Sequence, residues 1–232
     1  MAIHDGHRQR LKDRFSREGL DNFNELQVLE LLLFYCIPRV DTNPLAHRLL
    51  DRFGSLSQVM EATEAELMKV PGMGPNAATF LNLVTAVGRY YLVNRSAQLT
   101  ILNTTEKCGQ YLIPHFYGRR NETVFLLCLD AKCKMLCCKE IGEGSVNSAG
   151  IPVRRIVETA LGANATTVVL AHNHPSGLAL PSGDDVRTTH RVAAALDTVE
   201  ITLADHIIVA DDDFVSLVQS GCYHPNDGGF RQ

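Results

Sequence analysis

Two histidines and one aspartate in a short segment carry the residue types of a metal site. His172 and His174 flank a single residue, and Asp185 follows eleven residues after His174. Because side chains alternate along an extended chain, both imidazoles point the same way and can bind one ion. Asp185 supplies a carboxylate once the loop between them folds back. Two imidazoles and one carboxylate suit Zn2+, with the fourth position left for water.

The elements around this segment predict that it lies at the exit of a buried strand. Thr166–Ala171 is short and almost entirely apolar, which is typical of a strand covered on both faces. Pro175 and Gly177 turn the chain directly after His174, where a site can open to substrate. A helix from about Asp184 to Leu196 is predicted to follow.

The rest of the chain predicts two domains of different character. Residues 1–96 read as helices throughout, and residues 97–105 are polar and serve as a linker. In residues 106–232, Thr123–Leu129 and Met135–Cys138 predict paired strands, and His206–Ala210 predicts another. The expected fold class is α/β (α+β), with an all-helical N-terminal domain followed by a mixed-sheet domain.

Composition excludes several classes of protein. The 232 residues carry 22 Lys+Arg and 26 Asp+Glu, a net charge of −4, so the whole chain is not a strongly basic nucleic-acid protein. No apolar run reaches the roughly 18 residues that span a bilayer, and no secretory signal is evident, so we expect no membrane association. The seven cysteines lack paired spacings, which favours reduced thiols and a cytoplasmic location.

The metal segment also resembles a known motif. His172, His174, Ser182 and Asp185 satisfy every position of the JAMM motif, His-x-His-x7-Ser-x2-Asp. The finer string, HNHPSG followed by PS-x-x-D, is similar to the RadC family. Glu122, ahead of the hydrophobic run that ends in Leu-Asp, occupies the place of that family's glutamate. Further RadC-like stretches cover nearly the whole chain: residues 26–56, 144–155 and 205–210, together with Ser216.

The resemblance implies a JAMM/MPN metalloprotease-like domain that cleaves an amide or isopeptide bond with metal-activated water. In that scheme His172, His174 and Asp185 hold Zn2+. Glu122 takes the proton of the water and hands it to the leaving amine, and Ser182 donates a hydrogen bond to the oxyanion. The substrate is an unknown protein or peptide.

Simpler interpretations of these residues stay open. Ser182-x-x-Asp185 is also a helix-capping signature, and the two roles can coexist. A glutamate ahead of a strand, as Glu122 is, is usually only solvated. His206, beside Asp205, either supports a metal-binding histidine from behind or is a structural histidine.

The N-terminal part supports an alternative function. Val70-Pro-Gly-Met-Gly resembles the hairpin of helix-hairpin-helix domains, in which glycines let backbone N–H groups approach a phosphate. Lys69 is the one basic residue next to it in sequence, which predicts weak and salt-sensitive DNA binding. The alternative is therefore a DNA-repair-associated, DNA-binding protein with a structural or vestigial metal site. A protein-interaction scaffold is a third option, disfavoured because every motif position is present.

Overall fold

The computed structural model describes residues 3–96, 101–143, 152–226 and 229–230. The chain divides into two compact units, Met1–Gly88 and Arg89–Gln232. Residues 97–100 of the expected linker and residues 144–151 of one RadC-like stretch lie outside the described residues. The following residues of that linker belong to the second unit, where Ile101 pairs with Lys134 and Leu102 is fully buried.

The first unit is helical, as the sequence predicts. Its core consists of aliphatic side chains such as Leu29, Leu49 and Leu81, all fully buried. Asn24 starts the second helix with a reciprocal capping box that involves Gln27. The helices that begin in this unit are α1 Ile3–Glu18, α2 Glu25–Cys36, α3 Asn43–Phe53, α4 Leu56–Glu61, α5 Glu64–Leu67 and α6 Pro75–Ser96.

The second unit is built on a mixed sheet of five strands in the order β2-β1-β3-β4-β5, among the residues the structure describes. Strand β1 runs antiparallel to β2 and β3, β3 runs parallel to β4, and β4 runs antiparallel to β5. This confirms the expected mixed sheet. The elements are α7 Thr105–Phe116, β1 Thr123–Leu129, β2 Met135–Glu143, α8 Val153–Gly162, β3 Thr167–Asn173, α9 Gly183–Asp197, β4 Thr202–Ala210 and β5 Asp213–Ser216.

Helices cover both faces of the sheet and explain its apolar strands. Every residue of β1, β3 and β4 is buried. One face packs on α8 and α9 through residues such as Ile156 and Val192, and the other packs on α7 through residues such as Leu112. A strand covered on both faces needs apolar residues at consecutive positions. The polar residues within β3 and β4 are therefore exceptions that call for a physical reason.

No helix in the described part of the chain combines the length and the apolar character needed to cross a membrane.

Candidate metal centre

Strand β3 positions both histidines: His172 lies on the strand in the interior, and His174 lies just beyond its end. His172 is fully buried on β3, and His174 directly follows the last strand residue. The His174 N–H donates to the carbonyl of Val209, 2.9 Å away, which holds it beside β4. The Gly177 N–H then donates to the His174 carbonyl at 3.1 Å, and Gly177 has a φ of +79°, which favours glycine. The predicted turn therefore fixes the backbone of His174.

The three residues predicted to bind metal converge in the structure. Nε2 of His172 and Nε2 of His174 are 2.9 Å apart. The Asp185 carboxylate places Oδ1 3.2 Å from His172 Nε2 and Oδ2 3.6 Å from His174 Nε2. One ligand atom from each of the three lies within 4.8 Å of the others. The loop from Pro175 thus returns the carboxylate to the histidines, as the spacing predicts.

The chemistry of these donor atoms fits a cation. His174 Nδ1 lies 2.9 Å from the carbonyl oxygen of Leu178 and must donate to it, because a carbonyl has no hydrogen. With its hydrogen on Nδ1, a neutral form of this ring has an unprotonated Nε2, and that Nε2 faces His172. Two nitrogens bound to one tetrahedral zinc at 2.0–2.1 Å lie about 3.3 Å apart, so the pair needs to widen by only a few tenths of an ångström.

Asp185 takes part in a helix cap, and its carboxylate also faces the two histidines. Ser182 is the N-cap of α9: its Oγ accepts from the Asp185 N–H at 3.2 Å and donates to Asp185 Oδ2 at 2.7 Å. The Ser182 N–H also donates to Oδ2, at 2.8 Å. Burial raises the pKa of Asp185, but His172 and Ser182 together outweigh it and hold this pKa well below the usual range. The carboxylate is therefore ionised, as a metal ligand must be.

His206 lies directly behind the first histidine. Its Nε2 is 2.8 Å from Nδ1 of His172, and its Nδ1 is 2.6 Å from Oγ1 of Thr189 on α9. The side chain has no exposed surface. Burial lowers the pKa of His206 well below its ordinary value. His206 is thus a neutral residue that contacts a predicted ligand.

Asp205, the neighbour of His206, makes its side-chain hydrogen bonds on the opposite face of the sheet. This fully buried carboxylate accepts from Thr105 Oγ1 at 2.8 Å and from Ser216 Oγ at 2.7 Å. The backbone N–H groups of His206 and Val218 also donate to it. Burial raises the pKa of Asp205, and these hydrogen bonds partly offset that effect. Asp205 thereby ties α7 and β5 to the strand that carries His206.

Glu122 stands at the end of β1 that borders the histidines. Val124 pairs with His172 in antiparallel register, and continuing that register by two residues brings the backbone of Glu122 opposite His174. Glu122 is half-buried and is not one of the three clustered ligands. This placement suits a residue that acts beside a metal rather than one that binds it.

Asn173 fixes the segment that contains Glu122. Its Oδ1 accepts from the Thr123 N–H at 2.7 Å, and its Nδ2 donates to the carbonyls of Asn121 at 3.2 Å and Arg119 at 3.5 Å. Asn173 is 5% exposed, so it makes these bonds in the interior. No role was assigned to Asn173 from the sequence. A buried polar residue within an apolar strand was the signal for such a role.

The site is open on one side. The ring of His174 is 16% exposed, whereas His172 and Asp185 are almost completely buried. The loop beyond His174 exposes Leu178 and Leu180 to 64% and 68% of their surfaces. The cluster can therefore be reached from solvent on the side of His174, beside exposed apolar side chains.

Comparison with known proteins identifies the family. The family model described as "RadC-like JAB domain" matches residues 102–222. A UPF0758 protein of Paraburkholderia xenovorans (strain LB400) is 32% identical over 210 residues, covering 90% of this chain and 83% of that protein. A UPF0758 protein of Fusobacterium nucleatum subsp. nucleatum is 31% identical over 223 residues, covering 93% and 96%. With this match over the whole sheet and over the convergent His-His-Asp cluster, the chain belongs to the RadC family.

Proposed function

We propose that the chain is a zinc-dependent hydrolase that cleaves an amide or isopeptide bond with water. The observation that carries this proposal is the convergence of His172, His174 and Asp185, whose ring nitrogens and carboxylate oxygens face one another within 4.8 Å. An ion there would supply Lewis acidity and lower the pKa of a water molecule towards 7. The partial exposure of His174 leaves a side from which substrate enters.

The residues around the cluster suit the remaining steps. Glu122, at the border of the site, takes a proton from the attacking water and passes it to the leaving amine. Ser182 supplies a hydroxyl hydrogen for the carbonyl oxygen of the substrate. That hydrogen now bonds Asp185 Oδ2 at 2.7 Å, so it must turn towards the substrate when substrate binds. The Asp185 N–H can keep donating to Ser182 Oγ during this turn, so the capping and catalytic roles of Ser182 are compatible.

Peptide cleavage tests the activity. Zinc-loaded protein is incubated with a library of linear and lysine-linked peptides, and mass spectrometry detects newly formed ends. We expect cleavage of a subset by the wild type, and its loss on chelation or in Glu122→Gln. Glu158→Gln is the matched control, because Glu158 is an exposed residue of α8 that pairs with Arg154. Cleavage by Glu122→Gln at the wild-type rate, or no zinc-dependent cleavage by the wild type, contradicts the proposal.

The first unit favours a second function, binding of nucleic acid through the hairpin at residues 70–74. Gly72 there has a φ of +95°. Arg48, remote in sequence and exposed on α3, donates from Nε to the carbonyl of Pro71 at 3.1 Å. The fold therefore brings to the hairpin a guanidinium that the local sequence lacks. A phosphate at the hairpin would meet both backbone N–H groups and this charge.

Duplex binding, measured by fluorescence anisotropy over a range of salt, tests this second function. We expect Arg48→Gln to weaken binding and to reduce the salt slope by about one. Gly72→Val should weaken it too, because valine is strained at positive φ. Arg52→Gln on the same helix is the control. Equal affinity of all four proteins at moderate salt contradicts a role for the hairpin.

A further inference from the structure

A line of buried hydrogen bonds runs from helix α9 to the first metal-binding histidine. Thr189 Oγ1 lies 2.6 Å from the carbonyl oxygen of Asp185 and 2.6 Å from Nδ1 of His206. Nε2 of His206 lies 2.8 Å from Nδ1 of His172. Thr189, His206 and His172 have no exposed surface, and Asp185 is 2% exposed. Water therefore does not compete for these contacts.

The chemistry of the atoms determines where each hydrogen lies. Two oxygens 2.6 Å apart need a hydrogen between them, and the Asp185 carbonyl has none, so the Thr189 hydroxyl donates to it. That hydroxyl has a single hydrogen, and its oxygen must then accept from His206 Nδ1. A neutral His206 with a hydrogen on Nδ1 has an unprotonated Nε2, which accepts from Nδ1–H of His172.

We propose that Thr189 and His206 are positioning residues that hold His172 in the tautomer whose unprotonated Nε2 binds a divalent cation. The inference rests on the proposed metal site. The opposite tautomer of His172 would place a hydrogen on Nε2, between the ring and the ion. Thr189 donates to the Asp185 carbonyl. The residue that supplies the carboxylate therefore also helps to determine which ring nitrogen of His172 is unprotonated and able to bind the cation.

Nuclear magnetic resonance of the ring nitrogens tests the proton positions directly. The experiment correlates ring nitrogens with ring hydrogens in protein without metal and with zinc, at about pH 8, above the ordinary histidine pKa. We expect His206 to carry its hydrogen on Nδ1 in both samples and His172 to carry its hydrogen on Nδ1 in the zinc-loaded sample. A hydrogen on Nε2 of His206 in either sample overturns the proposal.

Zinc affinity of matched variants tests the consequence. Thr189→Val keeps the shape of the side chain but removes the acceptor for His206, and we expect it to weaken zinc binding about 10–100-fold. Thr189→Ser restores the hydroxyl and should bind zinc within a few-fold of the wild type. Thr188→Val, one position away on the same helix and 7% exposed, is the control for a lost buried hydroxyl. Affinities in Thr189→Val equal to those in Thr188→Val overturn the proposal.

His172→Ala separates this inference from the metal site on which it rests. If His172→Ala loses zinc while Thr189→Val keeps full affinity, the metal site stands and the positioning role fails. If His172→Ala binds zinc as the wild type does, the metal site itself fails, and the positioning role fails with it. Neither measurement needs a substrate, so both are independent of peptide cleavage.

Discussion

Replacing Asn173 by alanine should loosen the segment that carries Glu122 without disturbing the metal ligands. The change removes the acceptor for the buried Thr123 N–H and a donor to the Asn121 carbonyl, bonds of 2.7 Å and 3.2 Å. An orphaned buried donor costs about 1–3 kcal/mol, and the second bond adds about 1 kcal/mol. We therefore expect the free energy of unfolding of the second unit to fall by about 2–4 kcal/mol.

Three measurements follow this change. Denaturant unfolding gives the stability, hydrogen exchange reports the Thr123 amide, and competition with a chelating dye gives zinc affinity. We expect faster exchange at Thr123 and zinc affinity within about threefold, since His172 and His174 lie on the other face of the strand. Asn103→Ala is the control: Asn103 is exposed and accepts one surface bond from Lys107, so its loss should cost under about 0.5 kcal/mol.

Two results would refute this reasoning. If Asn173→Ala is as stable as Asn103→Ala, the three bonds do not hold the segment. If Asn173→Ala loses zinc as completely as His172→Ala, Asn173 acts on the metal ligands rather than on the strand end beside Glu122.

Other consequences of the structure are open to direct measurement. Ser182→Ala removes the cap of α9 and should lower the free energy of unfolding, measured in denaturant, by about 1 kcal/mol. An unchanged free energy of unfolding would mean that the cap does not stabilise the helix. In Gly109→Ala the new methyl group would lie 2.4 Å from the Phe214 ring. Calorimetry should therefore show destabilisation of about 1–3 kcal/mol. An unchanged melting temperature would mean that the ring moves aside without cost. Burial lowers the pKa of His115 in the folded state, so the unfolded state gains its proton first as pH falls. The stability contribution of His115 is complete above about pH 6.5 and is lost below it, and the wild type should weaken relative to His115→Phe from about pH 7 to 5. A pH-independent difference between the two proteins would contradict this assignment.

Most of the second unit could be predicted from hydrophobic pattern. The runs that became β1 and β3 are apolar at consecutive positions because helices cover both faces of the sheet. Helix α7 was missed because Thr105–Phe116 mixes polar residues with a proline near its end, and what stabilises it is packing on the sheet. Strand β5 was missed because four residues carry too little periodicity, and its place depends on pairing with β4.

The candidate site, too, could be predicted from the sequence only in part. The spacing of the two histidines and Asp185 follows from local geometry, and the structure brings the three together. The sequence left two roles open for His206, and its contact with His172 agrees with the supporting one. The contacts of Thr189 and Arg48 could not be predicted, because each joins elements that are distant in sequence. His206 meets His172 only through the parallel pairing of β3 with β4.

X-ray absorption at the zinc edge tests the central claim most directly, because it distinguishes nitrogen and oxygen ligands from the sulfur of the seven cysteines. All seven are free thiols, and burial raises the pKa of Cys128 to about 12, which disfavours a thiolate there. We predict nitrogen and oxygen neighbours at about 2.0–2.1 Å with the outer-shell pattern of two imidazoles, lost in His172→Ala. Sulfur neighbours at about 2.3 Å, or a spectrum unchanged in His172→Ala, would contradict the account.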